Sequence, residues 1–223
     1  MTVADDECRH FRLLEARLCA LGSHYGAYPA HDALWESAAR TAGSLPARLA
    51  VEVGQGWWGG GRAWSVAVRS RPRHPSPLQH CVHDGRGLDT IVATIAKLAR
   101  GGDAETAALL EGVIYKEEIT HCAAGVRWLT WLHGQAREAR GDRPRPAWAG
   151  DAASHAAPEL WFHALVRAHF RGALRPPFNE AARSAAGFTP AWYLPLAAAG
   201  KGAVAGGTAG GAAAQAAVEA PAV

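Results

Sequence analysis

Apolar residues recur at helical spacing from the start of the chain: Val3, Phe11, Leu14, Leu18 and Leu21 interleave with Arg9, Arg12, Glu15 and Arg17 on the other side. The pattern predicts an amphipathic helix over 2–21, stopped by Gly22. Beyond the turn-rich run Tyr25-Gly26-Ala27-Tyr28-Pro29, Asp32 is placed to cap a short helix through Leu34, Trp35 and Ala38, and a further helix follows Ser44 over 45–52. Periodicity lapses from 53 to 83. That stretch holds Trp57-Trp58-Gly59-Gly60-Gly61 and Arg71-Pro72-Arg73-His74-Pro75-Ser76-Pro77 and reads as an irregular insertion, with 64–68 as its one potential strand. Helical spacing returns over 88–99, breaks at Gly101-Gly102 and resumes from Asp103 to Leu132, with Asp103 as N-cap and Thr106 three positions on. Residues 134–157 read as a polar, Arg/Pro-rich connector. A helix over 158–171 spaces Leu160, Trp161, Leu165, Val166 and Phe170 for burial, and Asn179 is set to cap a last short one. The predicted class is all-α: one helical domain over 1–196, then an Ala/Gly-rich low-complexity tail over 197–223.

With 49% apolar residues in 223, the chain has enough to bury a core. It contains no apolar run of about 18 residues, so no membrane partner is expected, and its first thirty positions are too charged for a secretory signal. The expected location is the cytoplasm. Cys8, Cys19, Cys81 and Cys122 form neither CxxC pairs nor a dense framework; they read as reduced thiols, which excludes a zinc ribbon. The net charge of +3 says little about nucleic acid. Four arginines fall within 53–83, which has no acid, and without them the rest of the chain carries −1.

Candidate chemistry lies in a pattern that occurs twice, Glu-x-x-His: Glu7-Cys8-Arg9-His10 on the first helix and Glu118-Ile119-Thr120-His121 on the long one. Residues three apart share a helix face, so each carboxylate and its imidazole reach one point together. Ala107, Leu110, Ile114, Glu118, His121, Gly125, Trp128 and Leu132 follow steps of three and four, which puts the second pair inside an apolar stripe. Glu7 precedes Phe11, Leu14 and Leu18 by the same steps, and His10 shares a face with Val3 and Leu14. A buried carboxylate costs several kcal/mol unless paired, and two such pairs facing each other call for a cation between them. Helix bundles build dinuclear carboxylate sites this way, and the donor set suits two divalent ions, iron or manganese, with open positions for oxygen chemistry. The competing reading is that each Glu and His is ion-paired within the core. Glu111 is open between an outer-shell role and a solvated flank, Glu117 is expected at the surface, and Cys8 and Cys122 are expected to pack.

The chain resembles the ferritin-like family known as domain of unknown function 455 (DUF455), which is similar to the tRNA hydroxylase MiaE. The resemblance is carried by Glu7-Cys8-Arg9-His10-Phe11, Tyr25-Gly26, Pro29-Ala30-His31-Asp32, Leu34-Trp35, Ala47-Arg48-Leu49-Ala50, Arg86-Gly87-Leu88-Asp89, Lys97-Leu98, Glu118 to His121 with Gly125 and Trp128, Pro176-Pro177-Phe178-Asn179 and Ala186-Gly187-Phe188. It implies a four-helix ferritin-like bundle with a dimetal site. The ligands carried over are Glu7, His10, Glu118, His121 and Asp84, which stands where the family has Glu. Two departures accompany the match. Family members carry a further bundle helix, with its own ligand Glu, ahead of the segment that opens this chain, and the 53–83 stretch interrupts their third helix. A start placed too late and a retained intron are the expected cause. The leading expectation is an oxygen-activating hydroxylase or oxidase holding two iron ions, or manganese, acting on an unknown small molecule or on tRNA. A second copy or a partner helix would cover the exposed bundle face. The alternatives are a degenerate, non-catalytic bundle acting in protein interaction, and a protein of tRNA modification.

Overall fold

The computed structural model describes residues 2–29, 33–51, 81–138 and 146–198. Its helices are α1 (Thr2–Ala20), α2 (Ala33–Thr41), α3 (Leu45–Val51), α4 (Cys81–Arg100), α5 (Ala104–Leu109), a π turn (Leu110–Ile114), α6 (Tyr115–Glu138), α7 (Trp148–Ser154), α8 (Pro158–His169), α9 (Glu180–Ala185) and α10 (Pro190–Tyr193), closed by a 3₁₀ turn over Leu194–Leu196. No strand occurs among the described residues, only a bridge between Leu174 and Ala197. The class is all-α, as the periodicity predicts. His31, Asp32, Glu52, the 64–68 segment and all of the tail beyond Ala198 lie outside the described residues.

The ends of the helices follow local chemistry. Gly22 adopts φ 79°, letting the Ser23 N–H return to the Leu18 carbonyl and close α1. Gly102, at φ 87°, ends α4 in the same way, with Asp103 N–H on Leu98 O. Asp103 caps α5 by accepting from the Thr106 N–H at 3.1 Å and hydroxyl at 2.6 Å, and Asn179 caps α9 by accepting from the Ala182 N–H. Both are the expected caps.

Several expectations are revised. Helix α4 begins at Cys81, so the last three residues of the stretch read as irregular are helical; its remainder up to residue 80 is outside the described residues. The 134–157 connector contains the end of α6 and all of α7, whose Trp148 stacks on Trp161 and whose Asp151 accepts the Trp161 indole N–H at 2.8 Å. The rod from Ala104 to Glu138 is broken by the π turn, a feature that periodicity in steps of three and four passes over. Trp128 faces outward and Leu129 takes its place in the core, because eleven residues from Glu118 close about three turns and ten do not. Leu160 likewise faces solvent beside the buried Trp161.

The main core joins α3, α4 through Leu88, α6, α7, α8 and the C-terminal segment, with Leu49, Leu129, Trp161, Phe162, Phe188 and Trp192 at its centre. A smaller cluster of Ile91, Leu110 and Ile114 binds α4 to the π turn, and Leu14 of α1 packs on it. Helix α1 is attached differently from the rest. Among its described side chains only His10 is fully buried, and Phe11, expected inward, is 40% exposed against Tyr25. Its anchors are polar: at one end Arg17 donates to Thr106, Glu105 and Asp103 at 2.6–2.8 Å, and at the other it meets α6 through charged side chains.

Candidate metal centre

As α1 advances from Asp6 through His10 to Arg17, its partners run back from His121 through Glu117 to Thr106, so α1 runs antiparallel to the long rod and the two Glu-x-x-His faces oppose each other. Glu7 Oε1 lies 3.1 Å from His121 Nδ1 and Glu7 Oε2 lies 3.7 Å from His10 Nδ1. Glu118 repeats the pattern, with Oε1 3.8 Å from His10 Nδ1 and Oε2 3.8 Å from His121 Nδ1. Each carboxylate thus sends one oxygen toward each imidazole. The ring centroids are 5.7 Å apart, and donor atoms of Glu7, Glu118 and His121 all lie within 4.8 Å of one another. His10, Glu118 and His121 are buried, while Glu7 is partly exposed and marks the solvent side.

The outer ring nitrogens are held from behind. His10 Nε2 is 2.7 Å from Glu117 Oε2, and His121 Nε2 is 3.2 Å from Asp6 Oδ2. An ionised carboxylate only accepts, so both imidazoles donate from Nε2, and in the neutral ring Nδ1 would carry a lone pair toward the centre. Glu117, expected at the surface, is therefore a working part of the cluster, as is Asp6. A signal for both exists in the sequence: the repeated unit is five residues long, acid-Glu-x-x-His, as Asp6 to His10 and Glu117 to His121.

Burial, and then the charge of Glu7, push the Glu118 carboxyl up to about 7. Burial acts in the same sense on Glu7, but the His10 and His121 imidazoles outweigh it and hold Glu7 at about 2. Burial opposes charging of the histidines. The carboxylates outweigh it there too, Glu7 and Glu117 around His10 and Glu7, Glu118 and Asp6 around His121, and both imidazoles are raised. Glu7 and the two imidazoles thus favour their charged forms, and Glu118 is the one member of the four pushed against ionisation. Two buried atoms facing the centre of the cluster, Glu7 Oε1 and His121 Nδ1, lack a hydrogen-bond partner despite their closeness. Oriented lone pairs on mixed oxygen and nitrogen donors fit a divalent transition metal.

Asp84, on α4, is fully buried but is not among the side chains whose donor atoms lie within 4.8 Å of one another. After burial itself, its charge is the largest influence holding the buried Cys122 thiol up. Glu111 and Cys8 are exposed, so neither joins the site or the core. The Arg86-Gly87-Leu88-Asp89 motif serves the fold. Asp89 accepts from Arg183 at 2.8 and 2.6 Å and from the Asn179 backbone at 2.8 Å, while the Arg183 guanidinium lies over the rings of Phe178, Phe188 and Tyr193.

Fold and site together define an all-helical protein with a buried carboxylate–imidazole cluster between two antiparallel helices. The family model described as "Protein of unknown function (DUF455)" matches residues 1–53 and 67–194, and the chain belongs to that family. Within 1–194 the match lapses between residues 53 and 67, inside the stretch read as an insertion, and it resumes over the rest of that stretch. An uncharacterized protein of Haemophilus influenzae is 30% identical over 128 residues, 57% of this chain and 35% of that protein, so the chain spans about a third of that relative's length. No solved structure matches.

Proposed function

We propose that the cluster holds divalent metal, iron or manganese, and that the protein is a ferritin-like metal-carboxylate enzyme of the hydroxylase or oxidase kind. The observation that carries this is the crossed pattern in which Glu7 and Glu118 each present one oxygen to His10 Nδ1 and the other to His121 Nδ1. With that pattern Glu7, Glu118, His10 and His121 would be the residues that hold the metal. Iron with open coordination positions supplies oxygen activation when bound. The chain's own residues do the rest. Glu7 and Glu118 would set the spacing, the histidines would act as neutral terminal ligands, and Asp6 and Glu117 would fix their tautomers. Reactants would reach the centre from the partly exposed side at Glu7, since Glu118 and His121 are buried. Asp84, buried on α4, is the candidate for a further terminal carboxylate.

Metal quantification on purified protein tests this. The wild type is expected to carry iron or manganese in stoichiometric amount, and Glu118→Ala to lose most of it; equal content in both ends the proposal. A second reading, a non-catalytic helical scaffold in protein interaction, draws on the exposed Trp128 and Trp131, which pack edge to face 5.5 Å apart on α6. A folded protein whose stability ignores both iron and chelator would favour it.

A further inference from the structure

The two outer carboxylates are not independent. Asp6 uses Oδ2 for His121 and Oδ1 to accept from Arg9 Nη2 at 2.8 Å. Glu117 uses Oε2 for His10 and Oε1 for an ion pair with the same Arg9 Nη2 at 2.5 Å. One guanidinium therefore closes an unbroken chain: His121, Asp6, Arg9, Glu117, His10. The arrangement is lopsided in a telling way. In the second five-residue unit the position matching Arg9 is Thr120, whose hydroxyl turns back to the Glu117 carbonyl at 2.8 Å and reaches neither acid side chain across the seam. A single arginine serves both halves.

We propose that Arg9 is the positioning residue that orients both histidines at once, by clamping the carboxylates that hold their outer nitrogens. It touches none of the central donors and acts only through Asp6 and Glu117. An exposed ion pair by itself is worth little to stability, and the Arg9 side chain is 50% exposed. Its significance lies in what it holds. Without it, two acids on facing helices would repel, and each would be released to turn toward solvent, freeing the imidazole behind it to flip or change tautomer.

Electrostatics gives this idea a sign that a mere charge effect would not. A guanidinium near a cation site repels the cation, so removing it should tighten metal binding if charge alone matters. If Arg9 positions the histidines, removing it should weaken binding, by about 10- to 100-fold, as loss of an outer hydrogen-bond partner does.

The inference rests on the metal reading above, and its test separates the two. Mn(II) dissociation constants are measured for wild type, Arg9→Gln, Arg9→Lys and Arg12→Gln, which removes an equal charge from an exposed position of the same helix. In parallel, imidazole ¹⁵N spectra of the metal-free proteins are recorded at a pH high enough for the rings to be neutral. Arg9→Gln is expected to bind Mn(II) about 10- to 100-fold more weakly and to show mixed tautomers at His10 and His121. Wild type and Arg12→Gln should hold both rings as Nε2–H. Arg9→Lys keeps the charge on a shorter side chain that reaches the two acids less well and is expected to fall between; it decides the matter if Arg9→Gln does not fold. Unchanged or tighter Mn(II) binding in the Arg9 variants, or unchanged tautomers, overturns the proposal. If the wild type binds no Mn(II), the metal reading fails and the tautomers alone judge Arg9.

Discussion

Removing the Asp89 carboxylate would strand a guanidinium that is 1% exposed and enclosed by three aromatic rings. Loss of one partner of a buried pair costs about 3–5 kcal/mol. Asp89→Ala is therefore expected to lower the urea unfolding midpoint by that equivalent at an unchanged slope, and adding Arg183→Met should recover most of it. At this scale the sequence was readable where a residue's role depends on its own helix. Glu7 with His10, and Glu118 with His121, follow from spacing alone. Asp6 and Glu117 are marked in the sequence only by the repeat of an acid before Glu-x-x-His; each serves a histidine on the other helix, which no single-helix periodicity shows. Asp89 was visible as part of a motif, yet its partner Arg183 lies too far along the chain for spacing to suggest the pair.

The π turn sets the register of the longest helical rod. On an unbroken α-helix Glu118 and His121 would lie about 120° and 60° round from Thr106. The extra residue in the π turn winds them back by about 100°, so that they straddle the direction of Thr106, which faces Arg17 of α1. The start and the middle of the rod thereby engage the same helix. Deleting the exposed Gly112 is expected to abolish stoichiometric metal binding with helical circular dichroism retained. Gly112→Ala, with open space at the new Cβ, should bind normally. The Arg17 anchor has its own signature. The Thr106 hydroxyl, Arg17 and the Thr106 backbone hold the Asp103 carboxyl at about 2, below its ordinary 3.8. A lowered acid contributes stability above its ordinary value and loses it as pH falls toward the folded value. The melting-temperature gap between wild type and Arg17→Gln should be constant from pH 7 to 5 and shrink as pH drops from about 4 to 2. Helix existence was legible from periodicity and caps. The π turn and the sparse packing of α1 were not, since both depend on what lies opposite.

Across the whole molecule, α1 contributes only Leu14 to the smaller apolar cluster, while the main core is built without it. Bound metal would therefore stabilise the fold by mass action, about 2.7 kcal/mol at a hundredfold excess over the dissociation constant. For a chain of this size that corresponds to a shift of about 5–11 °C. A chelator is expected to lower the melting temperature of the metal-loaded protein by that amount and to leave Glu118→Ala unmoved, as differential scanning calorimetry would show. No described helix is long and apolar enough to cross a membrane. The all-α class was legible because every strong period in the sequence is helical; the way the helices share one centre was legible only in part, because Asp84 was placed by resemblance rather than by pattern. An ion gripped by Glu7 and Glu118 would be a reversible cross-link closing a loop of roughly a hundred residues, and clips of that span gain the most from chain entropy. Occupancy and the seating of the N-terminal helix would then be a single equilibrium, so that protease resistance of the first twenty residues reports directly on whether the ion is there.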